Sequence, residues 1–259
     1  MKQTGNTILI TGGGSGIGAA LAQRWHDAGN IVIIAGRRQE ALEEVAQGRD
    51  AIHTMTIDVD SAEGVMDFAK RVIEAHPDLN VLVNNAGIMR FETLETQRDL
   101  SDAEETVTTN LLGPIRLTNA LINHLKGKDD AVIVNVTSGL AFVPLVDAPT
   151  YCATKAAIHS YTLSLRNALD GKVEVIELAP PGVQTTLTPG QEKRSMYQPL
   201  DDFADEVMRL FDEQPTPKEI LVERVRGFRN AERDGNFDAT MKQLNDFARK
   251  AREEGNASA

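Results

Sequence analysis

A glycine-rich turn between a predicted strand and a predicted helix constrains the fold of this chain more than any other feature. Residues 7–10 form a short apolar run, residues 19–28 show helical spacing, and between them lies Thr11-Gly12-Gly13-Gly14-Ser15-Gly16-Ile17-Gly18. Glycines allow a sharp turn and close approach of a pyrophosphate, and a helix amino terminus presents free N–H groups to an anion. An ordinary flexible loop is the alternative. In this order of elements, the turn predicts a dinucleotide-binding unit.

Further apolar runs alternate with helical patterns along the chain. They predict strands at residues 30–35, 51–57, 81–83, 131–136, 173–178 and 219–222. Such alternation implies a parallel sheet with helices on both faces. We therefore expect an α/β fold, a doubly wound Rossmann-type three-layer sandwich with a mostly parallel sheet of about seven strands. A chain of 259 residues fits one such domain, residues 1–259.

The segment from about residue 225 onward is charged, but four apolar residues recur in it at helical spacing: Phe237, Met241, Leu244 and Phe247. This spacing predicts a docked amphipathic helix. The extension would either modify an interface between subunits or cover a pocket, and the sequence leaves both roles open.

Composition argues against several function classes. The formal net charge of −11 is unlike the basic footprint of a nucleic-acid-binding protein. The single cysteine, Cys152, rules out an internal disulfide and indicates a reducing compartment. No apolar stretch approaches the ~18 residues of a membrane span, and residues 8–10 are too short for a signal-peptide core. We expect a cytoplasmic protein with no nucleic-acid and no membrane partner.

The histidines do not suggest a metal site. His53, His76, His124 and His159 are scattered without ligand partners at short spacing, so we assign no metal. Cys152 is interpreted as a packing residue.

Tyr151 and Lys155 are the candidate acid–base pair. Helical spacing over residues 150–169 places the two side chains one turn apart on one face. A free phenol has a pKa of about 10, so it needs a neighbouring positive charge to stabilise its anion at neutral pH. Ser138 follows the predicted strand at 131–136, and its hydroxyl would emerge at the carboxyl end, where open α/β sheets bind ligands.

Two arginines follow the second predicted strand, in Gly36-Arg37-Arg38, where many NAD sites have an acid. An acid would accept hydrogen bonds from a ribose 2′-hydroxyl and repel a 2′-phosphate, whereas an arginine can bind that phosphate. The pattern predicts NADP(H) in preference to NAD(H), with Arg37 as the preferred contact. Two solvated arginines at a helix start are the alternative.

Three further positions have two interpretations each. Asp58-Val59 ends the third strand, where Asp58 would either hold an adenine amino group or cap the helix that begins near Ser61. Asn84-Asn85-Ala86-Gly87 ends the fourth strand as a simple turn or as a close approach to a cofactor. Pro114, in the helical segment 101–125, would bend the helix or free carbonyls near Asn110.

Taken together, these motifs resemble the short-chain dehydrogenase/reductase family in order and spacing, over roughly residues 7–222. The resemblance implies that Tyr151 is the general acid or base and that Ser138 orients and polarises the substrate oxygen. It implies that Lys155 lowers the pKa of the phenol and binds the nicotinamide ribose, and that Asn110 holds a water of a proton relay. The cofactor-binding residues it implies are Gly12, Gly14, Ser15, Gly16, Ile17, Gly18, Arg37, Arg38, Asp58, Val59, Asn85, Ala86, Gly87, Tyr151, Lys155, Pro180, Val183 and Thr185.

One departure from the family pattern follows the sixth strand. The family usually has Pro-Gly there, but here Pro180 is followed by Pro181, and Gly182 comes one place later. Pro181 removes an N–H group and stiffens the turn, which affects the cofactor contacts expected at Val183 and Thr185. The resemblance also implies a homodimer or a homotetramer.

The sequence therefore predicts an NAD(P)-dependent oxidoreductase that interconverts a carbonyl and a secondary alcohol by hydride transfer. A catalytically silent cofactor-binding regulator or scaffold is one alternative. A hydrolase with Ser138 or Tyr151 as nucleophile is another, although no Gly-x-Ser-x-Gly elbow surrounds Ser138. A partly apolar small-molecule substrate is suggested by candidate pocket residues: Ile88, Met89, Leu140, Phe142, Val146, Leu187, Met196 and Tyr197.

Overall fold

A computed structural model describes the main chain of residues 1–257 and the side chains of residues 1–250. Its strands are β1 (Thr7–Thr11), β2 (Ile31–Gly36), β3 (Ile52–Thr56), β4 (Val81–Asn84), β5 (Val132–Val136), β6 (Glu174–Leu178) and β7 (Glu219–Ile220). Its α-helices are α1 (Gly16–Asp27), α2 (Gln39–Ala46), α3 (Ala62–Ala75), α4 (Ser101–Val107), α5 (Gly113–Leu125), α6 (Pro149–Ala168), α7 (Leu200–Phe211), α8 (Glu223–Asn230) and α9 (Phe237–Ala257).

The seven strands form one sheet in the order β3-β2-β1-β4-β5-β6-β7, and every neighbouring pair is parallel. The predicted doubly wound α/β fold is confirmed. The chain reverses direction across the sheet between β1 and β4, which opens a crevice at the carboxyl ends of these strands.

Alternate side chains of the central strands supply the cores of the two helical layers. Ile8 and Ile10 pack with Trp25 of α1 on one face of the sheet. Leu9, between them, packs with Phe68 of α3 on the other face. All are buried, as expected for strands covered on both sides.

Buried asparagine side chains of β4 and β5 join the sheet to helices α5 and α6. The Asn84 amide donates to Asn135 Oδ1 at 2.9 Å and to Thr118 Oγ1 of α5 at 3.1 Å. The Asn135 amide donates to Thr162 Oγ1 of α6 at 2.9 Å. These bonds couple β4 and β5 to two helices and so fix the height of α6 against the strand ends.

One helical segment is interrupted close to the position expected from Pro114, and one strand ends earlier than predicted. The helical segment 101–125 is interrupted by a π-helical turn, Thr108–Leu112, because Pro114, in the first turn of α5, has no N–H for the carbonyl four residues before it. The last strand ends at Ile220, two residues earlier than predicted, because Val222 is already the N-cap of α8. None of the helices within residues 1–257 combines the length and apolar character of a membrane span.

Candidate active site

Two cavities adjoin the carboxyl ends of the strands. The first, which we call the glycine cleft, has a volume of about 450 Å³ and is lined by the glycine-rich turn, residues 36–38, residues 57–60, residues 86–88 and Thr109. The second, which we call the apolar pocket, has a volume of about 440 Å³ and contains Ser138 and Tyr151. These are volumes that suit small molecules.

The glycine-rich turn is tied to the end of β4. Gly12 has a left-handed φ of 68°, and a side chain there would meet Ala86 Cα at 3.0 Å. Thr11 Oγ1 accepts hydrogen bonds from the main-chain N–H groups of Asn85 and Ala86, each at 3.0 Å. The Asn85 amide donates to the Thr11 carbonyl at 2.9 Å. Asn85 therefore holds the turn from behind and does not line the cleft.

The residues expected to bind a cofactor divide into two groups in the structure. Those that line the glycine cleft are Gly12, Gly14, Ser15, Arg37, Arg38, Asp58, Val59, Ala86 and Gly87. Gly18 instead serves packing, because a Cβ there would lie 2.4 Å from the Gly12 carbonyl oxygen. Thr185 is buried and lies against Gly16, at 3.4 Å from an added Cβ.

The cleft suits a dinucleotide phosphate. α1 begins at Gly16 beside the cleft, and its N-cap, Ser15, makes no side-chain capping bond, so the first N–H groups of the helix stay available to an anion. Arg37 and Arg38 are exposed at the rim and make no ion pair with a described side chain. The N–H groups of the first turn of α1 and two free guanidinium groups thus lie at the same cavity, the glycine cleft.

Of the two roles considered for Asp58, helix capping is wrong. Ser61 caps α3, since its hydroxyl accepts from Gly64 N at 3.0 Å. Asp58 Oδ1 accepts instead from Asp60 N at 3.1 Å, in the turn before the helix. The Asp58 carboxyl is exposed at the cleft, where an adenine contact stays a prediction.

Tyr151 and Ser138 meet in the apolar pocket. Tyr151 lies in the first turn of α6 and is only 7% exposed, as is Ser138 just after β5. Burial raises the pKa of the Tyr151 phenol well above its usual value, and a hydrogen bond with the Ser138 hydroxyl offsets part of this shift. The phenol therefore stays protonated in the protein alone.

Lys155 is buried one turn further along α6. Its Nζ lies 5.6 Å from the centroid of the Tyr151 ring and donates to the Val136 carbonyl at 2.9 Å. Burial lowers the pKa of Lys155 to about 8, because a charged ammonium is poorly solvated there. Burial raises the pKa of the Tyr151 phenol in the protein alone, and the expected lowering of that pKa by Lys155 stays a prediction.

Asn110 lies in the π-helical turn, and its side chain bonds mainly to Ile88, with a longer contact from its Nδ2 to Thr154 Oγ1 of α6 at 3.4 Å. Its Oδ1 accepts from Ile88 N at 2.8 Å, and its Nδ2 donates to the Ile88 carbonyl at 2.8 Å. A Cβ on Gly87 would lie 3.2 Å from Asn110 Oδ1 and 3.6 Å from Lys155 Nζ. Glycine at this position therefore leaves room where the cleft meets Lys155 and Asn110.

The sequence reasoning missed Glu92, which anchors the helix of Tyr151. Its side chain is 4% exposed and pairs with Arg98. The carboxylate accepts from Thr150 N at 3.1 Å and from Thr150 Oγ1 at 2.8 Å, at the first turn of α6. An anion there is favoured by the helix dipole. No local motif signals this cap, because 58 residues separate the partners.

A second buried carboxylate, Glu177 of β6, was also missed. It accepts from Thr137 Oγ1 at 2.7 Å and pairs with His159 of α6 at 2.8 Å. Thr137 directly precedes Ser138, so this cluster fixes the end of β5 against α6. A single glutamate within an apolar strand does not indicate from the sequence alone that its side chain is buried and paired.

The apolar pocket is built largely from the carboxyl-terminal third of the chain. Of the expected pocket residues it includes Met89, Leu140, Leu187, Met196 and Tyr197, whereas Ile88 lines the glycine cleft and neither Phe142 nor Val146 lines a described cavity. Pro180, Pro181 and Gly182 line this pocket, while Val183 is buried and bridges to Gln198.

α9 covers the apolar pocket, which is one of the two roles left open for the extension. Thr240, Gln243, Leu244, Phe247 and Ala248 line it. Asn245 fastens the helix, accepting from Val146 N at 2.7 Å and donating to the Pro144 carbonyl at 3.1 Å. The charged extension therefore supplies part of the wall of the apolar pocket.

The remaining reactive groups give no competing site. Burial raises the pKa of the Cys152 thiol to about 11, which is consistent with its interpretation as a packing residue. Among the side chains of residues 1–250, no group of three or more His, Cys, Asp or Glu residues is arranged to hold a metal ion.

Comparison with known proteins agrees with this geometry. The sequence model of a family described as short chain dehydrogenase matches residues 6–195. The uncharacterized oxidoreductase DltE of Bacillus subtilis (strain 168) is 41% identical over 250 residues, covering 95% of this chain and 98% of that protein.

Two solved structures share the fold. The 3-ketoacyl-(acyl-carrier-protein) reductase from Brucella melitensis, complexed with NADH, has a TM-score of 0.74 and 28% identity, covering 83% of this chain and 94% of that chain. An alcohol dehydrogenase from the archaeon Thermococcus sibiricus, complexed with 5-hydroxy-NADP, has a TM-score of 0.74 and 27% identity, covering 85% and 97%.

Removing the Glu92 cap should destabilise the protein. We expect Glu92→Ala to lower the free energy of unfolding by about 2 kcal/mol, because α6 loses a buried charged cap. Urea unfolding measures this change. Glu95→Ala, an exposed acid in the same loop, is the control and should change stability by less than about 0.5 kcal/mol. Equal effects of the two substitutions would contradict the role of Glu92.

Proposed function

The chain belongs to the short-chain dehydrogenase/reductase family of oxidoreductases, and from this premise we propose that it interconverts a carbonyl and a secondary alcohol with NADP(H). One observation carries the proposal. Two hydrogen-bonded hydroxyls, of Ser138 and Tyr151, line a pocket large enough for a small molecule, and a buried lysine stands one turn from the phenol. This is the arrangement that a carbonyl oxygen needs when it gains negative charge.

The residues of the glycine cleft fit a nicotinamide dinucleotide. The turn at Gly12, Gly14 and Ser15 would hold the pyrophosphate, and Asp58 would hold the adenine. Gly87 and Lys155 would meet the nicotinamide ribose, since they adjoin each other at the inner end of the cleft. When bound, the cofactor supplies or accepts the hydride.

In the reducing direction, Tyr151 gives its proton to the substrate oxygen while Ser138 donates a hydrogen bond to it. Both act mainly on the transition state, because the oxygen is most basic as the new C–H bond forms. Burial supports this role, since it keeps the phenol protonated and ready to donate. In the oxidising direction, the same phenol must lose its proton, and the Lys155 ammonium favours that anion.

Asn110 would act through its main chain. Its side-chain amide is already bonded to Ile88, and the residue four places on, Pro114, has no N–H for the Asn110 carbonyl. That carbonyl is the group that we propose to hold a relay water between Lys155 and solvent.

The two alternative functions have less support. A hydrolase would need a base on its nucleophile, but the described hydrogen-bond partners of the Ser138 side chain are Leu140 N, at 3.1 Å, and the Tyr151 phenol. A silent regulator or scaffold would be expected to lose Tyr151, Lys155 or Ser138, and all three are present.

The preference for NADP(H) rests on Arg37 and Arg38. Both are exposed at the cleft rim beside Gly36, and no carboxylate follows β2 to accept the 2′-hydroxyl of NAD(H). A guanidinium group without a protein carboxylate is available to a 2′-phosphate.

We also propose a homodimer or homotetramer formed through α4, α5 and α6. Val107 of α4 and Leu112 of the π-helical turn before α5 are each 37% exposed, and Leu163 of α6 is 44% exposed, which suits burial between subunits. A monomer in sedimentation velocity would contradict this assembly. The cytoplasmic location stays a prediction from the sequence.

The substitution Tyr151→Phe tests the function. We expect kcat to fall by about a hundredfold or more, because the proton donor is lost, while the Kd for NADPH stays within about twofold. Stopped-flow NADPH oxidation and fluorescence titration measure the two quantities. Tyr161→Phe, which changes a phenol of the same helix that lines neither cavity, is the matched control and should keep most activity. Undiminished turnover in Tyr151→Phe would overturn the proposal.

The substitution Arg37→Ala tests the cofactor preference. We expect the Kd for NADPH to rise about tenfold or more, since a charge-assisted contact with the 2′-phosphate is lost, and the Kd for NADH to change little. Fluorescence titrations with both cofactors give the ratio. Arg233→Ala, at an exposed position remote from the cleft lining, controls for net charge. Equal weakening of both cofactors would refute the phosphate contact.

A further inference from the structure

The apolar pocket carries positive charge without a compensating acid. Its charged lining residues are Arg194 and Arg224, and no Asp or Glu lines it among the described residues. The chain as a whole has a formal net charge of −11. Two guanidinium groups in one concave pocket of an acidic protein make a local field that attracts anions.

Arg194 is held in place but not neutralised. Its Nη1 donates to the Tyr197 hydroxyl at 3.1 Å, and its guanidinium carbon stands 5.3 Å from the centroid of the Tyr197 ring. It makes no ion pair with a described carboxylate. A guanidinium group has five N–H donors, so this stacked arginine keeps donors for a ligand.

Arg224 differs from the other arginines of α8. Arg226 pairs with Glu223 at 3.1 Å, and Arg229 pairs with Glu219 at 2.8 Å. Arg224 instead donates to the Met196 carbonyl at 3.0 Å, in the same loop as Arg194, and has no ion pair with a described side chain. Carboxylates of α8 and β7 thus neutralise Arg226 and Arg229, whereas Arg224 at the pocket has no such partner among the described side chains.

Most of the remaining lining of the pocket is apolar, although Thr188, Gln191, Thr240 and Gln243 also contribute to it. Met89, Leu145, Leu187, Phe228 and Leu244 line it together with the two hydroxyls of Ser138 and Tyr151. α8 packs closely beside Ser138, since a Cβ on Gly139 would lie 2.8 Å from Phe228. The cavity therefore offers hydroxyls for a carbonyl oxygen, an apolar wall for a chain, and guanidinium groups for an anion.

From this arrangement we propose that the substrate is an oxo acid, a carbonyl compound with an apolar chain that ends in a carboxylate. The inference rests on the proposed function. The carbonyl oxygen binds Ser138 and Tyr151, and the carboxylate binds Arg194 and Arg224. Hydride from NADPH forms the C–H bond, the C=O π electrons move to oxygen, and the Tyr151 proton forms the O–H bond. The products are the hydroxy acid and NADP⁺.

A matched pair of substrates tests directly whether the carboxylate of the substrate contributes to binding. We would compare 8-oxononanoate, a ketone whose reduction gives a secondary alcohol, with its uncharged methyl ester, following NADPH oxidation. Since the ester keeps the carbonyl and the chain, we expect kcat/KM to be about tenfold or more higher for the acid, and mainly through KM. Nonanoate, which has the carboxylate and no ketone, should inhibit competitively against 8-oxononanoate.

The double variant Arg194→Gln/Arg224→Gln assigns the effect to these residues. It should lose the preference for the acid and the inhibition by nonanoate, while its kcat/KM for the ester and its Kd for NADPH stay within about threefold. Arg226→Gln, on the same helix but paired with Glu223, is the charge-matched control and should keep the preference.

The outcomes separate the two proposals. Equal kcat/KM for acid and ester in the wild type would overturn the oxo-acid inference and leave the reductase function intact. An acid preference that persists in a folded double variant would overturn the assignment to these arginines. No NADPH oxidation with either compound, together with no binding of NADPH, would overturn the proposed function and the inference with it. The wild-type comparison holds whether or not the variant folds.

Discussion

The site depends on an energetically unfavourable burial, that of the Lys155 ammonium. Its partner is a main-chain carbonyl and not a carboxylate. Lys155 is 5% exposed and bonds the Val136 carbonyl at 2.9 Å. Burial of an unpaired charge is costly, and it lowers the pKa of Lys155 to about 8. A side chain kept at this cost is more often functional than structural. The surrounding fold buries the lysine and the phenol close to each other.

Three long-range contacts hold α6 rigidly enough for this purpose. Glu92 caps its first turn, the Asn135 amide bonds Thr162 in its middle, and Glu177 of β6 pairs with His159. Each contact joins α6 to a different part of the sheet or its loops. A reacting group needs support of this kind, because small displacements of a catalytic side chain reduce the rate severely. The sheet therefore determines where Tyr151 stands, and α8 and α9 determine what reaches it.

Much of the fold could be predicted from the sequence, because its signals are local. The glycine-rich turn, the apolar strands and the four-residue spacing of Tyr151 and Lys155 each depend on neighbouring residues. The Glu92 cap and the arginines of the apolar pocket could not be found, since they are brought together only by tertiary folding. The role of Asp58 was ambiguous because Asp and Ser are both common helix-capping residues. In the structure, Ser61 is the residue that caps α3. The direction of the pKa shift of Tyr151 depends on the burial of its side chain, which cannot be read from the sequence.

The ionisation of the Tyr151 phenol, followed by ultraviolet difference titration, tests the central claim most directly. Subtracting the titration of Tyr151→Phe isolates this phenol from Tyr161 and Tyr197. Since burial raises its pKa, we predict no ionisation of Tyr151 in the protein alone up to about pH 11. With saturating NADP⁺, whose nicotinamide ring carries a positive charge, the same phenol should ionise at a lower pH. Ionisation near pH 10 that is unchanged by NADP⁺ would contradict the account of Tyr151 as a buried acid–base group completed by its cofactor.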